Sequence, residues 1–160
     1  MRMAGAYPAG YLGWVAKVLV SACLLGRACR FDGKDKLVLE LQDALRAEKV
    51  EAVPFCPEEA GGLGTPRPPA VIVGGDGEDV LDGRARVVTD GGEDVTAAFL
   101  DGARQALDAA RLHGCAVAYL KERSPSCGCG QVHTEKGVAK GCGVTTALLR
   151  RGGVAPISVA

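Results

Sequence analysis

The sequence predicts a single Rossmann-like α/β domain with a mostly parallel sheet, helices on both faces and a small antiparallel excursion. Three observations support this. Apolar runs of strand length alternate with segments whose apolar residues recur at helical spacing. Three of those runs each end just ahead of a cysteine. The chain has 160 residues, enough to bury roughly two thirds of its unfolded surface in one domain.

Residues 1–16 read as an extension and 17–160 as the domain, whose first strand, Val18-Leu19-Val20-Ser21-Ala22, leads into Cys23. Leu37, Val38, Leu41, Ala44 and Leu45 predict a helix over 35–48, and Val50 to Phe55 a second strand ending at Cys56. A strand–helix–strand unit requires parallel pairing with a right-handed crossover, so Cys23 and Cys56 should share one sheet edge. Gly61 to Pro69 is too rich in Gly and Pro for regular structure. Ala70 to Val73 and Val80 to Thr89 read as an antiparallel pair of strands, with Asp82-Gly83 as the hairpin signal. Asp94 or Thr96 can cap a helix through Val95, Phe99, Ala103, Ala106, Leu107 and Ala110 that stops at Gly114. A third strand, Cys115 to Lys121, leads to Cys127. A helix over Val144 to Arg151 and a strand over Val154 to Val159 complete the chain.

The 19 acidic and 19 basic residues cancel, and no block of one sign offers a footprint for a phosphate backbone, so nucleic acid is not expected as a partner. Seven cysteines, an odd number in a chain of ordinary domain size, suit reduced thiols and metal ligands in the cytoplasm better than disulfides. Val20-Ser21-Ala22-Cys23 has the form of a lipoprotein cleavage box. Pro8, Gly10 and Gly13 interrupt the apolar stretch before it, however, and Lys17 sits close to the cleavage point. No stretch reaches the ~18 apolar residues of a membrane span, so no membrane partner is expected.

Three cysteines at the carboxyl edge of a parallel sheet, where open α/β folds bind ligands, suit a soft metal centre with one position left for substrate. Cys29 could be a second thiol of the Cys23 loop or a small buried hydrophobe. Glu58, two residues after Cys56, has the reach of a general base, while Glu59 faces the other way. Two other readings stay open at this level: a zinc site built from Cys127, Cys129, Cys142 and His133, and a hydrolase with Cys127 as nucleophile and His133 as base. Gly74-Gly75-Asp76-Gly77 matches neither of the standard nucleotide-binding loops.

Ser21-Ala22-Cys23-Leu24-Leu25-Gly26, Arg30-Phe31-Asp32-Gly33, Cys56-Pro57-Glu58 with Gly61-Gly62-Leu63 and Pro66-Arg67-Pro68-Pro69-Ala70, and Leu120 to Gly128 resemble the signature of the bacterial thiouracil desulfidase family, from about residue 18 to the end. The resemblance implies a [4Fe-4S] cluster held by Cys23, Cys56 and Cys127 with its fourth iron open to the sulfur of a thiolated pyrimidine. It implies that Glu58 activates water and that Ser124 positions or protonates the ring. Arg67 and Ser126, in the same loops, are assigned to substrate binding. The expected substrate is 2- or 4-thiouracil or a thiouridine nucleotide, yielding the oxo-pyrimidine and sulfide without net redox change. Val71 stands where the family usually has a glutamate after Pro-Pro-Ala, and Cys129 and Cys142 are extra thiols.

Overall fold

A computed structural model of the chain describes residues 17–160; the expected extension over residues 1–16 lies outside them. The first sheet has four parallel strands in the order β2-β1-β5-β8, formed by β1 (Lys17–Ser21), β2 (Glu51–Phe55), β5 (Val117–Lys121) and β8 (Ala155–Val159). β1 is central and apolar on both faces, as a doubly covered parallel strand requires. Val18 and Val20 pack with Leu41 and Leu45 of α1 (Leu39–Ala47). Leu19 points the other way, against Ala106 and Leu107 of α4 (Thr96–Leu112) and Leu149 of α5 (Val144–Arg151). Strand alternation thus places helices on both faces, as expected.

A second sheet, β4-β3-β6-β7, is mixed. β3 (Ala70–Val73) pairs antiparallel with β4 (Arg86–Thr89) and parallel with β6 (Gln131–Thr134), which forms an antiparallel hairpin with β7 (Gly137–Lys140). The antiparallel excursion is therefore twice the size expected. The hairpin was not foreseen because of its strand residues only Val132 is fully enclosed, while Val138 is exposed. α4 serves both sheets: Ala106 and Ala110 face the first, and Phe99 and Ala103 pack with Ile72, Val87 and Val132 of the second.

Two local expectations are corrected. Val80 belongs to a helix, α3 (Gly77–Leu81), not to a strand. The Asp76 carboxylate accepts from the Glu78 and Asp79 amides at 3.0 and 3.4 Å, while Asp79 accepts from the Asp76 amide at 2.9 Å. This reciprocal cap outweighs the local β-propensity, and Asp82-Gly83 ends the helix instead of turning a hairpin. α1 starts at Leu39, four residues later than the periodicity suggests. Asp35 closes a turn on the Leu37 amide at 3.0 Å, and Lys36 and Val38 donate to Cys23 and Leu24 carbonyls at 2.9 Å, which ties residues 35–38 to the Cys23 turn.

No described helix is long and apolar enough to cross a membrane. Cys23 lies in a 3-10 turn, Ala22–Leu25, and is 7% exposed directly after the central strand. Cleavage ahead of it would remove β1, so the lipoprotein-box reading is incompatible with this fold.

Two close backbone approaches position the loops at the sheet edge. At Gly102, where α4 crosses α2 (Pro57–Ala60), an added Cβ would lie 2.0 Å from the Pro57 carbonyl oxygen. At Gly143 it would lie 2.4 Å from the Ser126 carbonyl. We expect Gly102→Ala and Gly143→Ala each to lose about 1–3 kcal/mol, read as a drop of several degrees in thermal melting; an unchanged midpoint would show that these approaches are not tight.

Glu122 anchors the Cys127 loop from the end of β5. Its Oε1 accepts from the Arg123, Cys129, Gly130 and Gln131 amides at 3.2, 2.9, 3.1 and 3.0 Å, and Ser158 donates to Oε2. Burial alone would raise this carboxyl, but the Ser158 hydroxyl and the amides outweigh it and hold it at about 2. A depressed folded-state value stabilises above the ordinary carboxylate range and is lost as pH falls toward that value. The stability gap between wild type and Glu122→Gln, followed by denaturant melts, should be widest above about pH 5 and should shrink on acidification toward pH 2.

Candidate metal and active site

Cys23 follows β1, Cys56 caps the start of α2 directly after β2, and Cys127 lies in the turn after β5. The three strands are adjacent and parallel, so all three thiols reach the carboxyl edge of the first sheet. They line one cavity of about 510 Å³ together with Glu58, Arg67, Ser124 and Ser126. None of the three is in a disulfide.

Glu58 projects into this cavity from the first turn of α2 and is held from two sides. Arg67 Nη2 pairs with Glu58 Oε2, the two side chains being only 7% and 14% exposed, and Ser126 Oγ donates to Glu58 Oε1 at 3.2 Å. Arg67 also donates to the Cys29, Gly64 and Thr65 oxygens at 2.9–3.1 Å. Its two terminal nitrogens are thus committed to protein acceptors, and the structure places Arg67 as the orienter of Glu58 and clamp of the Cys29 loop.

The two serines are linked to each other and to Glu58. Ser124 Oγ accepts from the Ser126 and Cys127 amides at 3.1 and 3.2 Å and shares a hydrogen bond with Ser126 Oγ, 2.9 Å away. Ser126 in turn donates to Glu58. The result is a hydrogen-bonded chain of Ser124, Ser126 and Glu58, ending on a carboxylate. The turn rests on the start of α5: Val144 and Thr145 amides donate to Pro125 and Ser126 carbonyls at 2.9 Å, and Thr146 Oγ1 to the Cys127 carbonyl at 2.9 Å.

Burial pushes the Cys127 thiol up to about 12. The Cys56 thiol is raised first by its contact with Cys29 and then by burial. Such thiols stay protonated near neutrality until a metal displaces the proton. That environment is the opposite of what a cysteine nucleophile needs. The Ser21 and Ser126 hydroxyls, the latter 3.6 Å away, are polar side chains against Cys127 Sγ, whereas His133 is exposed at the cavity wall with its amide bonded to the Arg123 carbonyl.

Nor do Cys127, Cys129, Cys142 and His133 converge as a zinc site. Cys142 Sγ lies 3.8 Å from Asp76 Oδ2, and Cys129 Sγ faces the Cys127 carbonyl at 3.7 Å. Among the described residues the one group of metal-ligating atoms lying mutually within 4.8 Å is Cys29, Cys56 and Glu59.

Two features escaped the sequence reading. Cys29 stands within the site, touching both Cys23 and Cys56; its thiol is raised to about 11, first by the Cys23 contact. The short Cys23-to-Cys29 spacing was the available signal. Four cations, Arg30, Lys36, Lys121 and Arg123, also line the cavity, but they are scattered along the sequence and assembled only by the fold. Lys121 is lowered by burial and then by Arg30.

The 2-thiouracil desulfurase family model matches residues 18–159. The uncharacterized protein YbbK of Bacillus subtilis (strain 168) is 44% identical over 144 residues, 88% of this chain and 94% of its own. The solved structure of the [4Fe-4S]-dependent thiouracil desulfidase TudS (DUF523Vcz) is 49% identical, with 89% of each chain covered and a TM-score of 0.75. A match over nearly every described residue, together with relatives aligned over most of their own length, shows that this chain belongs to the 2-thiouracil desulfurase family.

Proposed function

We propose that this chain is a desulfidase that binds a [4Fe-4S] cluster through Cys23, Cys56 and Cys127 and releases sulfide from a small thiolated pyrimidine. The observation that carries the reading is the hydrogen-bonded Ser124–Ser126–Glu58 chain opening into the same cavity as three thiols free of disulfides. The donor set fits the cluster. A single zinc ion bound at ~2.3 Å needs ligand sulfurs roughly 4 Å apart, and Cys23, Cys56 and Cys127 do not form such a compact group. A cluster separates its ligand sulfurs more widely, and thiolates are its usual ligands.

When bound, the cluster supplies a soft Lewis-acidic iron that draws electron density from the thiocarbonyl carbon. The chain's own residues do the rest. Glu58 accepts a proton from the attacking water, and Arg67, paired to its other oxygen, keeps the carboxylate aimed. Ser126 and Ser124 form the path along which that proton is redistributed toward the departing sulfur or the ring. The overall reaction is thiopyrimidine plus water to oxo-pyrimidine plus hydrogen sulfide, with no net electron transfer. Arg30, Lys36, Lys121 and Arg123 face Glu58, Glu93 and Glu122 in the cavity wall. Glu58 is paired with Arg67 and Glu122 is bonded to backbone amides, so the remaining charge favours an anionic substrate, and among the expected substrates a thiouridine nucleotide over the free base.

Glu58→Gln should retain iron and sulfide while turnover of 4-thiouracil falls ~100- to 10,000-fold, measured by sulfide release under anaerobic conditions. A wild-type rate would assign the base to another group. Alanine at Cys23, Cys56 or Cys127 should each abolish iron uptake, whereas Cys115→Ala and Cys142→Ala should keep full iron content. Retention of the cluster in Cys56→Ala would overturn the ligand assignment.

A further inference from the structure

We propose that Cys29, Cys56 and Glu59 form a zinc-type divalent-metal site that is filled when the cluster is not, and that shares Cys56 with it. The two sulfurs and one carboxylate oxygen lie mutually within 4.8 Å, with Cys29 buried and the other two half-buried. Glu59 Oε1 is enclosed without a hydrogen-bond donor; the Arg27 guanidinium stands 2.9 Å away as a charge but makes no hydrogen bond. Arg27 is therefore the charge that a bound metal ion would replace at this oxygen. The other oxygen, Oε2, accepts from the Thr65 hydroxyl at 2.7 Å, which orients the carboxylate as a second-shell partner does at a metal.

Two thiolates and a carboxylate form a borderline-soft donor set that suits zinc and excludes calcium and magnesium. The fourth position would go to water or to Cys23, whose thiol already contacts Cys29. Tetrahedral zinc with bonds of ~2.3 Å to sulfur places two ligand sulfurs roughly 3.8 Å apart, compatible with the 4.8 Å within which these ligand atoms lie. Binding expels the two thiol protons and lets Arg27, whose side chain is 58% exposed, swing into solvent. Cys56 is needed by both centres, so a zinc-filled chain cannot take up the cluster. That sharing rests on the cluster assignment above; the ion site itself does not.

The test uses the full-length, reduced, cluster-free chain titrated with Co²⁺ and then with Zn²⁺ in competition. We expect one ion per chain with a thiolate-to-cobalt absorption band, and Zn²⁺ binding weakened in Cys29→Ser and Glu59→Gln by more than the ~10- to 100-fold cost of losing a supporting partner. Cys127→Ser and Cys142→Ser should bind zinc as wild type does, and Cys29→Ser should still assemble the cluster. Absence of stoichiometric binding, or full affinity in Cys29→Ser, overturns the site. In a second arm, zinc-loaded wild type should fail to insert the cluster while Cys29→Ser inserts it with zinc present. Equal insertion into zinc-free and zinc-loaded wild type overturns the sharing of Cys56. Failure of the cluster reading shows separately, as no insertion into zinc-free wild type.

Discussion

The parallel alignment of β1, β2 and β5 is the constraint on which the rest depends. Parallel strands joined by right-handed crossovers all end on the same edge, and each of these three is followed within six residues by a cysteine. The pairing of Val18 through Ser21 with Ala52 through Phe55, and of Leu19 and Val20 with Ala118 and Tyr119, sets the three loops side by side. A slip of one residue in either register would turn Leu19 away from α4 and expose the apolar set of the central strand. Core packing and site assembly are therefore enforced by the same pairing.

Within the site, one buried ion pair joins three loops. Arg67 comes from the Gly/Pro segment, Glu58 from the first turn of α2 after β2, and the Cys29 carbonyl that Arg67 also binds from the loop after β1. An enclosed pair adds little net stability, because desolvation offsets most of the attraction, but breaking it leaves a costly bare charge. Its consequence here is geometric: Glu58 cannot relax into solvent. The glycines and prolines around Arg67, which exclude regular structure, let that segment fold back over the cavity.

The thiols present a related balance. The Cys29 contact and then burial raise Cys56, and burial raises Cys127, which keeps them protonated without metal. A metal must displace those protons, so affinity rises with pH and the coordinated state differs in charge from the free one. Cys29 makes the selection between centres sharper, because a compact ion and an extended cluster demand different sulfur separations from overlapping residues. Glu59, read from the sequence as facing away from the site, lies in ligating range of two thiols.

The amino-acid sequence by itself determined the parallel sheet, the helix over Val144–Arg151, the course of α4 and the edge to which Cys23, Cys56 and Cys127 project, because hydrophobic period and crossover handedness are local or nearly local properties. The family signature supplied Glu58 and Ser124 as chemistry-bearing residues. The tertiary structure alone decided what surrounds them. Ser126 and Arg67 as partners of Glu58, Cys29 against Cys23 and Cys56, and four cations on one cavity wall all depend on side chains far apart in the chain. The β6–β7 hairpin was illegible because its residues are mostly exposed, and α3 because a reciprocal carboxylate cap overrode the strand-forming residues that follow it. Local patterns set where chain segments run; long-range packing sets which side chains share a point, and that carries no periodic trace in sequence.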